Sequence, residues 1–367
     1  MRVQRLVQGI WWVTASFAVL AFAPCCRAQA AQAPSIDVRL VTDEADAVLS
    51  ILAKKKSNEP ISAKDWEQLF SSDGYARLKK REAELKRTFT DDEFRAFVLS
   101  DELASRAQVL RETLARWAHA DMNETASRAL AYWPEGARIR AKIYPVIKPK
   151  TNSFVFETKT DPAIFLYIDP ANTAAKFENT LAHELHHIGY SSSCLPRLTS
   201  EEFTRLPEKS RTVLEWVGAF GEGIAMLAAA GGPEVHPHEA SSPADRARWD
   251  HDMANFNEDL LKVEQFFQEI LEGKLTGEEE IRERGFSCFG IQGPWYTVGW
   301  KMAATIEKAE GRKVLIGCLC EPAQLLFAYN RAAVALNRTA PTPLRLWSPA
   351  LLEPIRNAIK APAPLEE

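Results

Sequence analysis

The sequence predicts an α+β fold that is mainly α-helical, with one small antiparallel sheet set between a helical front and a helical back. Three observations carry this reading. Apolar residues recur at spacings of three and four through Phe94, Phe97 and Val98, and on to Leu110, Leu114 and Trp117. The pattern switches from Ala137 to Ile147, where Ile139, Ala141, Ile143 and Tyr144 alternate with Arg138, Arg140 and Lys142. After Asp169-Pro170 the helical spacing returns and lasts nearly to the end.

With 367 residues, 46% of them hydrophobic and 26% charged, the chain can bury a sizeable core, and the disordered and fibrous classes drop out. Residues 1–30 read as a targeting segment. Arg2 and Arg5 form a positive start, Gly9 to Ala23 is an apolar run, and Ala28-Gln29-Ala30 offers a small-x-small cleavage pattern. Cleavage there predicts a periplasmic or secreted protein; the alternative is an uncleaved N-terminal anchor. No other segment reads as apolar enough to span a bilayer, so no membrane span is expected after cleavage. Removing residues 1–30 takes away three arginines and no acid, which moves the net charge from −4 to −7. Such a surface gives no electrostatic reason to bind nucleic acid or anionic lipid. Export would place Cys194, Cys288, Cys318 and Cys320 in an oxidising compartment. Cys318 and Cys320 flank one residue, a spacing that strains a direct bridge, so each pairs elsewhere or stays free.

From Ile36 to about Tyr132 the pattern reads as helical. Thr90-Asp91-Asp92-Glu93 is a capping box, and Ser62-Ala63-Lys64-Asp65 makes a similar start. Beyond Gly136, Ala137–Ile147 reads as a strand stopped by Pro145, and Phe154–Phe156 and Ala163–Ile168 read as two more. Short connections between them suggest antiparallel pairing. The helices that follow are interrupted by polar stretches at about 191–210, 231–248 and 272–294. The Pro-rich segment from Ala340 reads as a tail lying on the surface or fraying.

The chemistry concentrates at His183-Glu184-Leu185-His186-His187. Asp169-Pro170-Ala171-Asn172 reads as the entry of its helix and Gly189 as the exit. Phe177, Leu181, Leu185 and Ile188 fall within roughly 80° on a helical projection and define a buried face. His183 and His187 project to the opposite side, at about 200° and 240° from Leu181. Two imidazoles one turn apart can share a zinc ion, and Glu184 at their flank can reach water at the metal without ligating it. His186 reads as a supporting or merely polar residue.

A catalytic zinc takes three protein ligands and keeps one position open. The third candidate is Glu222, in Phe220-Gly221-Glu222-Gly223-Ile224-Ala225, whose small neighbours let one helix approach another closely; Glu215 is the fallback. The glycines and alanines alternatively do no more than permit tight packing.

His183-Glu184-x-x-His187 followed by Gly221-Glu222-Gly223-Ile224-Ala225 resembles the gluzincin class of metallopeptidases. It is most similar to a bacterial domain-of-unknown-function family described as zinc-dependent peptidases, from about Ile36 to Ala332. The resemblance implies a zincin-like catalytic region over 136–340, packed as one unit with a helical region at 31–135 and followed by a tail at 341–367. It implies zinc on His183, His187 and Glu222, with Glu184 as general base. It also implies an oxyanion donor, a position that Tyr296 in Trp295-Tyr296-Thr297 resembles. Without the resemblance, Tyr296 reads as an ordinary core tyrosine with its hydroxyl at the rim. The 34 residues between His187 and Glu222 exceed the spacing in thermolysin-like and aminopeptidase families, so the Ser191–Ser210 stretch must fold out of the way.

The expected function is hydrolysis of peptide or protein substrates through zinc-activated water, with Ile164–Ile168 as a sheet edge along which an extended peptide pairs. The alternatives are a non-catalytic zinc- or peptide-binding protein on the same scaffold, and a metallo-esterase or amidase. The sequence leaves the oligomeric state open.

Overall fold

A computed structural model describes residues 35–158, 160–193 and 200–360. The expected signal segment and Cys194 lie outside the described residues. Strand β1 (Ser35–Leu40) leads into six helices: α1 (Asp43–Lys56), α2 (Ala63–Phe70), α3 (Asp73–Glu84), α4 (Asp91–Val98), α5 (Asp101–Ala118) and α6 (Met122–Leu130). Strands β2 (Arg138–Val146), β3 (Phe154–Phe156) and β4 (Ala163–Tyr167) follow. The second half holds α7 (Ala174–Ser193), α8 (Ser200–Thr204), α9 (Glu208–Val217), α10 (Gly221–Ala230), α11 (Pro243–Ala254), α12 (Phe256–Glu272) and α13 (Glu278–Ser287). It ends with α14 (Pro294–Glu310), α15 (Arg312–Leu319), α16 (Pro322–Leu336) and α17 (Pro349–Lys360). The mainly helical α+β class holds. At the start of α4, Thr90 Oγ1 accepts from the Glu93 amide at 3.2 Å while the Glu93 carboxylate accepts from the Thr90 amide at 3.1 Å.

The sheet is mixed rather than antiparallel. Its order is β1-β2-β4-β3, with β1 and β4 both parallel to β2, and only β3 antiparallel to β4. Ser35–Leu40, read as the start of helix, is a strand whose Ile36, Val38 and Leu40 alternate with charge. It pairs with β2 only after six intervening helices. β4 is an interior strand covered by β3, so it is not the edge expected for peptide pairing. Pro145 does not stop β2. The Lys142 amide donates towards β4 and the Ile147 amide towards Glu44 of α1, which turns the Pro145 nitrogen to the β1 side, beyond the last β1 partner at Ile143. No ladder bond is lost there.

β2 is buried on both faces. Ile139, Ala141 and Ile143 join the main core, which runs from Ala45 in α1 to Ile355 in α17. Tyr144 and Val146 join a smaller core with Leu78, Phe156 and Phe165. Residues 347–360 are not a surface tail. Trp347 is buried, and α17 sinks Leu351, Leu352, Ile355 and Ala358 against α9 and α12. Two stretches read as polar loops carry α11 and α13, and much of Ser191–Ser210 is helical through α7, α8 and α9. Contrary to expectation, Glu208–Ala230 is long and apolar enough to cross a membrane, but 61% of its most apolar window is buried inside the fold, as in a core helix.

Candidate metal centre

α7 begins later than expected, at Ala174, where Thr173 Oγ1 accepts from the Lys176 amide at 3.1 Å. It also runs past Gly189 to Ser193. A Cβ at Gly189 would lie 2.5 Å from Nε1 of Trp133, so this glycine is a packing point rather than a helix stop. The Trp133 indole lies on α7 there, its ring 4.6 Å from that of His186. At the other end, Trp117 of α5 stacks on Phe177 at 4.5 Å. Phe177, Leu181, Leu185 and Ile188 are buried as expected. This face fixes α7 on the core and leaves His183 and His187 on the far side.

α10 brings Glu222 to them. α9 and α10 are joined through a 3-10 turn, Gly218–Phe220, and α10 crosses α14 at two glycines. A Cβ at Gly223 would lie 2.1 Å from the Trp300 nitrogen, and one at Gly299 would lie 2.6 Å from the Phe220 oxygen. Only glycine allows backbone to meet backbone at this distance, and the crossing sets Glu222 beside Tyr296 of α14.

Three donor atoms converge. Nε2 of His183 and Nε2 of His187 lie 3.0 Å apart, and Oε2 of Glu222 lies 3.1 and 3.3 Å from them. Among the described residues these three side chains form the cluster able to hold a metal ion. Glu215, the fallback, is exposed and stands outside that cluster. Burial opposes charge on Glu222, yet hydrogen bonding to His183 and His187 holds its carboxyl well below the usual carboxylate range. Burial likewise opposes charge on His187, and hydrogen bonding to Glu222 nevertheless raises its pKa. The donor set fits zinc: two imidazole nitrogens and one carboxylate oxygen leave a fourth position for water or substrate.

Glu184 and Tyr296 complete the surroundings. Glu184 is half-buried and close enough to act electrostatically on both His187 and Tyr296. The Tyr296 ring lies 6.4 Å from that of His183, nearly parallel to it. Burial, then the charges of Glu222 and Glu184, push its hydroxyl pKa up, so Tyr296 remains a protonated donor. His186 is buried at 2% exposure with both ring nitrogens unpartnered among the described residues, and burial drives its pKa well below the usual histidine value. The other histidines stand apart: His236 lies 3.1 Å from Asp250, and His238 is buried against Trp249. Tyr329 is buried and donates to the Arg345 carbonyl at 2.6 Å. Cys320 is disulfide-bonded, whereas Cys288 and Cys318 are free thiols.

A family model described as "Putative zinc dependent peptidase" matches residues 47–338, well over half of the chain and all of the elements that build this centre. The chain belongs to that family. The family is described as zinc-dependent, and the cluster of His183, His187 and Glu222 could hold such an ion. No curated protein matches the chain. No solved structure matches it either. The matched region begins inside α1 and ends just after α16, so β1 and α17 fall outside it. Gly299 escaped the sequence reading, although its place one turn after Tyr296 was the available signal.

Proposed function

We propose that the chain is an exported zinc metallopeptidase in which His183, His187 and Glu222 hold the metal and Glu184 is the general base. The convergence of three donor atoms within 3.3 Å, beside Glu184 and Tyr296, carries this reading. When bound, zinc supplies a Lewis acid that polarises a carbonyl and acidifies water to a pKa of about 7. Glu184 takes the proton of the attacking water and passes it to the leaving amine. Tyr296 donates a hydrogen bond to the carbonyl oxygen as negative charge develops on it. The buried face of α7 and the α10–α14 crossing keep these groups from drifting apart, which matters because small displacements at such a site are costly. Export rests on the charged start, the apolar run and Ala28-Gln29-Ala30.

The test is a mixed-peptide assay on secreted material whose N-terminus has been sequenced. The expected chain starts at Ala31 and cleaves peptides until a zinc chelator is added. An intact Met1 start would replace the signal peptide with an anchor, and stoichiometric zinc without turnover would favour a binding protein. Tyr296→Phe is expected to lower kcat about 10-fold to 1,000-fold with little change in KM, because the lost hydrogen bond forms in the transition state. Unchanged kcat would return Tyr296 to an ordinary packing role.

A further inference from the structure

Beside the metal centre lies a cavity of about 150 Å³ whose lining includes His187 and Glu222. Its remaining walls are mostly apolar, with Val217 and Ile224 from α9 and α10, Leu319 from α15, and Pro322 and Leu325 from α16. Among the described residues, no lysine or arginine lines it. A cavity of this volume with apolar walls accommodates a benzene-sized group, as an engineered cavity of comparable size does in another protein.

Two glycines keep it open. Gly218 and Gly221 both line the cavity and have ordinary helical backbone angles, with φ of −57° and −53°. Neither adopts a positive φ, and an added Cβ at either would meet nothing within 4 Å among the described residues. Glycine in helical backbone costs roughly 1 kcal/mol against alanine. Packing does not explain that cost here, as it does at Gly223, where backbone crowds the site. The cavity wall also includes His186, buried with both nitrogens unpartnered among the described residues. Space left open next to the ligands of a hydrolytic metal, at a cost in helix stability, is space for part of the substrate.

We propose that this cavity is the side-chain subsite of the peptidase, taking one aliphatic or aromatic residue of leucine to phenylalanine size next to the scissile bond. The inference rests on the peptidase reading above. It deepens that reading by naming the substrate class: peptides with a medium apolar residue at the cleavage point, and neither an acidic nor a basic one there.

The test uses one peptide series that varies a single position through Gly, Ala, Leu, Phe, Trp, Lys and Asp. Cleavage by the wild type is measured, and binding to the full-length Glu184→Gln chain is measured by calorimetry. Leu and Phe peptides are expected to exceed Gly and Lys peptides about 10-fold to 100-fold in both readouts. Gly218→Leu, which adds a side chain to one wall, is expected to abolish that preference while zinc content stays at that of the wild type. Leu325→Ala, which removes bulk from the α16 part of the wall, is expected to admit the Trp peptide. Selective binding with no cleavage by the wild type keeps the subsite and overturns the peptidase reading. Cleavage with a flat profile, or a Leu and Phe preference that survives unchanged in folded Gly218→Leu, overturns the subsite.

Discussion

Glu184→Gln is expected to lower kcat/KM by about 10²-fold to 10⁴-fold while the zinc content stays at that of the wild type. The factor is the contribution of a positioned general base, and the amide keeps the shape of the side chain while removing its basicity. Zinc persists because Glu184 is not among the three donors that converge; its carboxylate stands at their flank. The separation of activity from metal content distinguishes a base from a ligand. Loss of both together in Glu184→Gln would place the carboxylate on the metal, and retention of both would leave the site without its base.

Gly223→Ala is expected to be the most damaging single methyl in the molecule. Its Cβ would lie 2.1 Å from the Trp300 nitrogen, 2.4 Å from the Gly299 carbonyl carbon and 2.5 Å from the Tyr296 oxygen, all backbone atoms. Backbone cannot rotate aside as a side chain can, so α10 and α14 must separate. Overpacking of this kind costs about 3 kcal/mol or more, which lowers the melting temperature by about 5–10 °C in a chain of this size. The separation also moves Glu222 away from His183 and His187, so zinc affinity falls with stability. Gly221→Ala is the internal control. It lies two residues away in the same helix, finds open space, and is expected to hold or raise stability, because alanine favours helix over glycine. Equal melting temperatures for Gly223→Ala and the wild type would show that the crossing is not what positions Glu222.

Legibility in the sequence followed the range of the interactions. The capping box at Thr90, the buried stripe of α7 and the histidine pair opposite it are local, and all stand where the spacing puts them. Glu222 was legible as a carboxylate among small residues. What its helix crosses was not, because Gly299 lies 77 positions further on. β1 was misread for the same reason: six residues carry little pattern, and their partner arrives after six helices. The strand direction failed because β3 inserts at the edge, so short connections join β2 to a parallel neighbour. Gly189 was ambiguous in principle. Glycine serves both helix exits and close contacts, and only the Trp133 indole decides between them. The prolines of the C-terminal segment hide a helix whose Leu351, Leu352, Ile355 and Ala358 are buried, with Trp347 buried just before it.

The central claim is that one zinc is held by His183, His187 and Glu222, and metal content tests it most directly. Elemental analysis of the purified wild type is set beside that of the triple variant His183→Ala, His187→Ala, Glu222→Ala, with circular dichroism to show that both are folded. The account predicts one zinc per wild-type chain and almost none in the folded variant. Equal zinc in the two, or a folded wild type that takes up no zinc when it is supplied, would contradict it.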